Sequence, residues 1–354
     1  MASTRPRDLL TETLLDELAA AESAGDADQA GTAALAGSIA RLAGAGYLSI
    51  ALPPEFGGLG CTLRQAACGQ RRLTRRAPRT ALAVSAHLYW TGAAADAYRA
   101  GDESVRWILQ EAARGALFAG GHAGGGGDLR FADPRSRCTP AEGSYQFADP
   151  GAVATVTPAW DWIAVHGVHQ APARPGHRAP RPQTVIAFAG RGTGSAPAFR
   201  VARTASAGTP ADTFLASTLT WGHSILASVQ YADTRRAFDA ALTAYAESAA
   251  ASLTSAAIPR PTGRDTAQDD QDAVPGGYWP VAEAGARLTA MKARIADVTH
   301  PWHQTMQAPA PDPGGQHLIG LYAMRHEIAE GAASVHDVIT QLTGAPAPAR
   351  PLVQ

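Results

Sequence analysis

The sequence predicts a mainly helical protein with a small β-domain set between two helical units. Three observations predict it. Apolar residues recur at three- and four-residue steps through the first third of the chain. At Ala119 the composition shifts to Gly, Pro, Thr and Val, with short runs of β-forming residues. After Pro210 the helical period returns. These changes set the expected domains: 1–118 helical, 119–209 a small β-domain, and 210–354 a C-terminal helical bundle. With 354 residues, 45% of them hydrophobic, the chain is long enough to bury a sizeable core.

The elements follow in order. Leu10, Leu14 and Leu18 share one helical face, as do Leu35, Ile39 and Leu42, and Gly44 and Gly46 stop the second helix. Tyr47 to Leu52 is a short apolar stretch, and "LPPEFGGLG" turns the chain. Helices are expected over Leu63 to Thr74, Arg79 to Ala100 and Glu103 to Arg114. In the β-domain, "SYQFAD", "DWIAVHGV" and "TVIAFAG" read as strands, and "QAPARPGHRAPRPQ" as an exposed hairpin loop. One long helix starts after Asp212, a candidate N-cap, and a polar loop spans Ile258 to Pro280. Val281, Leu288, Met291, Ile295, Val298 and Trp302 form the apolar stripe of the next helix. Ile319, Tyr322, Ala329, Val335, Ile339 and Leu342 mark the last one.

A formal net charge of −1 gives no field for nucleic acid or an anionic membrane. Basic residues are nearly all arginine, and Lys292 is the only lysine. No apolar run is long enough to span a bilayer, and the first residues lack a signal core. The three cysteines have neither CxxC nor zinc-finger spacing, so a cytoplasmic protein with reduced thiols and no metal is expected.

The layout and several stretches resemble the acyl-CoA dehydrogenase superfamily over nearly the whole chain. "GYLSIALPPEFGGLG" resembles that family's "G…P.EyGG.G" turn, and "RTALAVSAHLYW" its pocket-lining helix. "HLIGLYAMRHEIAEGAASVHDVITQLTGA" is similar to the late helix that runs into a Gly-Gly turn. The resemblance implies a flavin site, and that site departs from the family's pattern. "AGGHAGGGGD" aligns with "ALTEPGAGSD", placing Gly121 at the family's Thr, His122 at its Glu and Gly127 at its Ser. "VATVTPAWDWIAV" is similar to the strand written "WITNGxxADW"; Thr155 keeps the flavin-bonding threonine and Val153 replaces the packing tryptophan. A "GxRxTxS" segment has no counterpart between "FRVARTASAGTP" and "ADTFLAS", so a truncated β-domain is expected. The late helix ends in "LTGAPAPARPLVQ", and no counterpart of the C-terminal catalytic glutamate of many dehydrogenases is expected.

The candidate site residues follow from this frame. His122, the one reactive side chain in the glycine stretch, is the first acid/base candidate; the alternative is a solvated loop histidine. His87 is the next, with a buried histidine bonded to a backbone carbonyl as the alternative, and His223 follows as a further catalytic candidate. Tyr89, Trp90 and Trp221 are candidate substrate contacts or core aromatics. Gly121, Gly127 and Thr155 are the cofactor contacts if flavin is retained. His300 and His303 in "HPWH" lack a third ligand at suitable spacing, so no metal is expected. "RRLTRR" is read as a helix end in solvent or, alternatively, as a contact for a CoA phosphate. Glu327 is expected to face solvent.

Three functions are compatible with these residues. The first expectation is a biosynthetic enzyme without flavin, performing an isomerisation, dehydration or cyclisation on an acyl or polyketide-like substrate. The second is an FAD- or FMN-dependent dehydrogenase or monooxygenase. The third is a non-catalytic subunit of a hetero-oligomer. The resemblance also implies a homodimer or homotetramer through the C-terminal helices, and a small-molecule or acyl-thioester substrate.

Overall fold

A computed structural model of the chain describes residues 5–24, 29–120, 137–141, 144–147, 158–169, 171, 180, 182–191, 199–206, 213–255, 278–307 and 314–344. The N-terminal part opens with α1 (Pro6–Leu9), α2 (Glu12–Ala24) and α3 (Gln29–Gly44). After α3, Gly46 takes a left-handed φ of 76° and starts a buried turn of Tyr47, Leu48, Ile50, Ala51 and Leu52. "PPEFGG" then folds back on that turn. A Cβ on Gly58 would lie 2.1 Å from the Leu52 carbonyl oxygen and 2.4 Å from that of Ser49, so only glycine allows this approach.

Helix α4 (Leu63–Thr74) begins where the sequence predicts. Thr62 and Gln65 close a capping box: the Gln65 N–H donates to Thr62 Oγ1, and the Thr62 N–H to Gln65 Oε1. The arginine run on α4 proves to be an interhelical clasp. Arg72 pairs with Glu12 at 2.8 Å and Arg76 with Asp16, so two arginines four apart meet two acids four apart on α2. Helix α5 (Pro78–Arg99) has proline in its first turn, and Glu22 of α2 accepts the N–H groups of Arg79 and Thr80. A single 3₁₀ turn leads into α6 (Arg106–Ala113).

Six strands follow: β1 (Phe118–Gly120), β2 (Cys138–Ala141), β3 (Ser144–Phe147), β4 (Trp162–His169), β5 (Gln183–Gly190) and β6 (Phe199–Ser206). One sheet has the order β1-β4-β5-β6, with β1 parallel to β4 and the other pairs antiparallel; β2 and β3 form a separate antiparallel pair. β4 and β5 make the expected hairpin, whose connecting loop lies mostly outside the described residues. "FRVARTAS", expected to run straight on towards the long helix, is β6. The sheet has two unlike faces. Phe118, Trp162, Ala164 and Phe188 face α5 and α6. On the other face, Val165, Val185 and Ala187 pack with Cys138 and Phe147, while Ala119, Ile163 and Ala189 cluster with Trp160.

The C-terminal helices are α7 (Thr213–Ser255), α8 (Tyr278–Gln307) and α9 (Gly314–Thr343). α7 packs against α4, α5, α8 and α9, and one continuous core joins these helices to the N-terminal ones and the inner sheet face. Leu288, Met291, Ile295, Val298 and Trp302 are buried, as the stripe predicts. The face expected for α9 needs correction. Ile319 and Tyr322 are 63% and 38% exposed, and the buried seam is Leu321, Met324, Ile328, Ala332, Val335 and Ile339. That seam keeps three- and four-residue steps without a break, whereas the predicted one needed a seven-residue jump. Glu327 faces solvent as expected, half-exposed, and pairs with Arg294 of α8 at 2.9 Å.

Candidate functional site

The middle of α5 meets β1 at the entry to the glycine stretch. His87, Tyr89 and Trp90 all sit there, and all three are buried. The His87 ring bridges two pieces of main chain. Its Nδ1 accepts the Phe118 N–H at 3.3 Å, and Nε2 lies 3.0 Å from the Leu48 carbonyl oxygen, to which it donates. That pattern requires the neutral ring protonated on Nε2. Burial pushes the pKa down to about 4, against a smaller upward pull from the Leu48 carbonyl and Asp161. Neither nitrogen is free for acid/base work, so the structure gives His87 the tie between the 47–52 turn and β1.

Tyr89 and Trp90 belong to an aromatic wall. Trp90 stands edge-on to Phe188 at 4.9 Å and tilted against Phe214 at 6.1 Å; Trp107 packs against Phe118, Trp162 and Phe188. The Tyr89 hydroxyl reaches Gly120, where a Cβ would lie 2.3 Å from it. The last residue of β1 is therefore glycine for a packing reason, whatever the following glycines do. Asp161 fixes the other end of this strand: its Oδ2 accepts the Leu117 N–H at 2.8 Å, while its own N–H donates to the Leu117 carbonyl.

Trp221 is held within the interior. A Cβ on Gly92 would lie 2.3 Å from its ring, so the indole lies flush on α5. Its Nε1 donates to Asp96 Oδ2 at 2.7 Å, and Trp302 Nε1 donates to the same oxygen at 2.8 Å. Arg99 pairs with the other oxygen at 3.0 Å. This clasp joins α5, α7 and α8. Burial raises the Asp96 pKa, while the two indoles, Arg99 and His303 act in the opposite sense. Asp96 is the residue that sequence reasoning missed. Its one signal was an acid in the run "TGAAADAYRA".

His223 is 1% exposed, and neither ring nitrogen has a hydrogen-bond partner. Burial, with Arg325 adding to it, lowers its pKa to about 3. His122, Gly121, Gly127, Val153 and Thr155 lie outside the described residues. Ala119, Ile163 and Ala189 are buried and cluster with half-buried Trp160 on the sheet face away from α5. His303 bonds to Gln307, and no group of three or more potential metal ligands occurs among the described residues. No described helix is long and apolar enough to cross a membrane.

No protein-family model matches the chain, and no curated protein matches it in sequence. Solved structures do match. KijD3 in complex with FMN and dTDP-3-amino-2,3,6-trideoxy-4-keto-3-methyl-D-glucose is 17% identical, with a TM-score of 0.68, over 97% of this chain and 85% of KijD3. The HsaA monooxygenase from M. tuberculosis is 13% identical at a TM-score of 0.62, over 98% of this chain and 90% of HsaA. XiaF from Streptomyces sp., in complex with FADH2 and glycerol, is 13% identical at 0.58, over 94% and 82%. Coverage of this extent, together with β6, gives no support to a truncated β-domain. Flavins or oxygenation stand in these names, and a flavin-free reaction finds no support among them. The chain shares the fold of these structures, the acyl-CoA dehydrogenase-like fold that the sequence resemblance implies.

Proposed function

We propose that this chain is a flavin-dependent oxidoreductase of the monooxygenase type, acting on a small molecule. The observation that carries the proposal is the match of 97% of the chain to a structure holding FMN. Reduced flavin, when bound, supplies the two electrons and two protons with which one atom of dioxygen enters the substrate and the other leaves as water. The chain's part is to bind, orient and exclude water. Backbone N–H groups of Gly121 and Gly127 would hold the cofactor with Thr155. The wall of Tyr89, Trp90, Phe118 and Phe188 closes the α5 side to water. His122 is the proposed proton carrier at the mouth. A homodimer or homotetramer through the C-terminal helices belongs to the same proposal; light scattering at micromolar concentration reads it, and a monomeric mass opposes it.

The substitutions that place Gly121, Gly127 and Val153 at side-chain contacts of the family make the expected binding weak. Two lost hydrogen bonds at about 1.5–3 kcal/mol each weaken binding by roughly 10²–10⁴-fold. The test is a titration of the protein with FMN and FAD, oxidised and chemically reduced, followed by flavin fluorescence. Saturable quenching with either flavin is expected. No binding in either oxidation state would return the chain to a flavin-free, redox-neutral role, the reading that the three substitutions favour.

A further inference from the structure

Among the described residues, unpartnered buried polar atoms concentrate on two consecutive positions of α7. Both ring nitrogens of His223 and the Oγ of Ser224 lack any hydrogen-bond partner, and the two residues are 1% and 0% exposed. Buried polar atoms in folded proteins are nearly all bonded, because an orphan leaves its lost hydration uncompensated. The surrounding seam is otherwise matched. Thr220 Oγ1 meets His317 Nε2 of α9 at 2.9 Å, and Gln230 accepts from Arg325 of α9. Thr220, His223 and Gln230 follow at helical steps of three and seven, so all three lie on the α9 side. The His223 ring stands edge-on to the Tyr322 ring, with centroids 5.3 Å apart and planes at 68°. Tyr322 itself is 38% exposed.

We propose that His223 and Ser224 are the polar end of a ligand site in the α7–α9 seam, which takes a small organic molecule by a carboxylate or carbonyl oxygen and is entered past Tyr322. The chemistry of the neighbours selects that class. A neutral imidazole and a hydroxyl each offer one donor to an oxygen. The Arg325 guanidinium, which also lowers the His223 pKa, disfavours a cationic ligand. Ala227, Leu321 and Met324, all fully buried, supply apolar surroundings for the ligand body. The site is independent of the flavin proposal, whose residues follow β1 in the sequence, whereas this seam lies between α7 and α9.

Benzoate is the probe, and benzylamine its cationic counterpart. Protein labelled with ¹⁵N-histidine is titrated with each, and the His223 ring resonances are assigned from His223→Asn. Benzoate is expected to shift those resonances to saturation, and benzylamine to leave them in place. Ser224→Ala and His223→Leu should each weaken benzoate about tenfold or more, with flavin quenching unchanged. If His223→Leu does not fold, the wild-type titration and Ser224→Ala carry the test. The proposal is overturned if benzoate leaves the resonances unmoved, if both probes bind alike, if Ser224→Ala binds benzoate as tightly as wild type, or if a crystal structure grown with benzoate shows ordered water alone on both residues.

Discussion

Both ring nitrogens of His87 bond to main chain, and both of His223 bond to nothing, yet the sequence offers the two residues alike as histidines on apolar helices. Spacing can place a histidine on a face; it cannot say whether a carbonyl from residue 48 will reach it. The same gap hid Asp96, which becomes costly to remove only because two tryptophans more than 100 residues away converge on one of its oxygens. Burial makes the histidines a source of acid lability. In the unfolded chain each takes a proton near 6.5; folded, His87 does so only near 4 and His223 near 3. The unfolded state therefore binds more protons between those limits. The full contribution is present above about pH 6.5 and is lost as pH falls towards 4 and 3, at about 1.4 kcal/mol per pH unit per histidine. Asp96, with its raised pKa, acts in the opposite sense, so a difference measurement is needed. Urea unfolding at pH 7 and pH 4.5 should show a smaller pH-dependent loss for His87→Gln than for wild type. Equal losses in the two proteins would mean that His87 is not buried as a neutral ring.

At the scale of elements, helices were legible wherever their caps and stripes were local. Leu63–Thr74 was legible as a helix, though its Thr62–Gln65 capping box emerges only in the structure, and the α8 stripe came with its period. β1 was not legible: three residues carry no period, and its place is set by Asp161 and by the parallel pairing to β4. The α9 face was misplaced because exposed Ile319 and Tyr322 are as apolar as the buried seam beside them. The β1–α5 junction gives a specific expectation. Gly120→Ala puts a methyl group against the Tyr89 hydroxyl and should destabilise the protein by about 1–3 kcal/mol. Tyr89→Phe removes that oxygen, so the double variant should recover most of the loss in a thermal melt. No recovery would place the strain in the backbone at Gly120 instead.

Across the whole molecule, the sequence made the three-part layout legible because hydrophobic period and Gly/Pro content change with each part. It left the site half-legible. The residues expected to meet a cofactor lie in a glycine-rich stretch, where side chains give little chemical signal and binding depends on backbone N–H groups. The proposal of flavin chemistry, rather than the redox-neutral reaction that the altered motifs alone suggest, therefore leans on the likeness of folds more than on the motifs. The most direct test of that claim needs no substrate. Reduced FMN or FAD, with and without a stoichiometric excess of the protein, is mixed with dioxygenated buffer and its return to the oxidised absorbance is followed in time. A flavin monooxygenase must shield reduced flavin and govern its reaction with dioxygen, so the protein should alter the time course for at least one flavin. Superimposable traces for both flavins, with and without protein, would contradict the account.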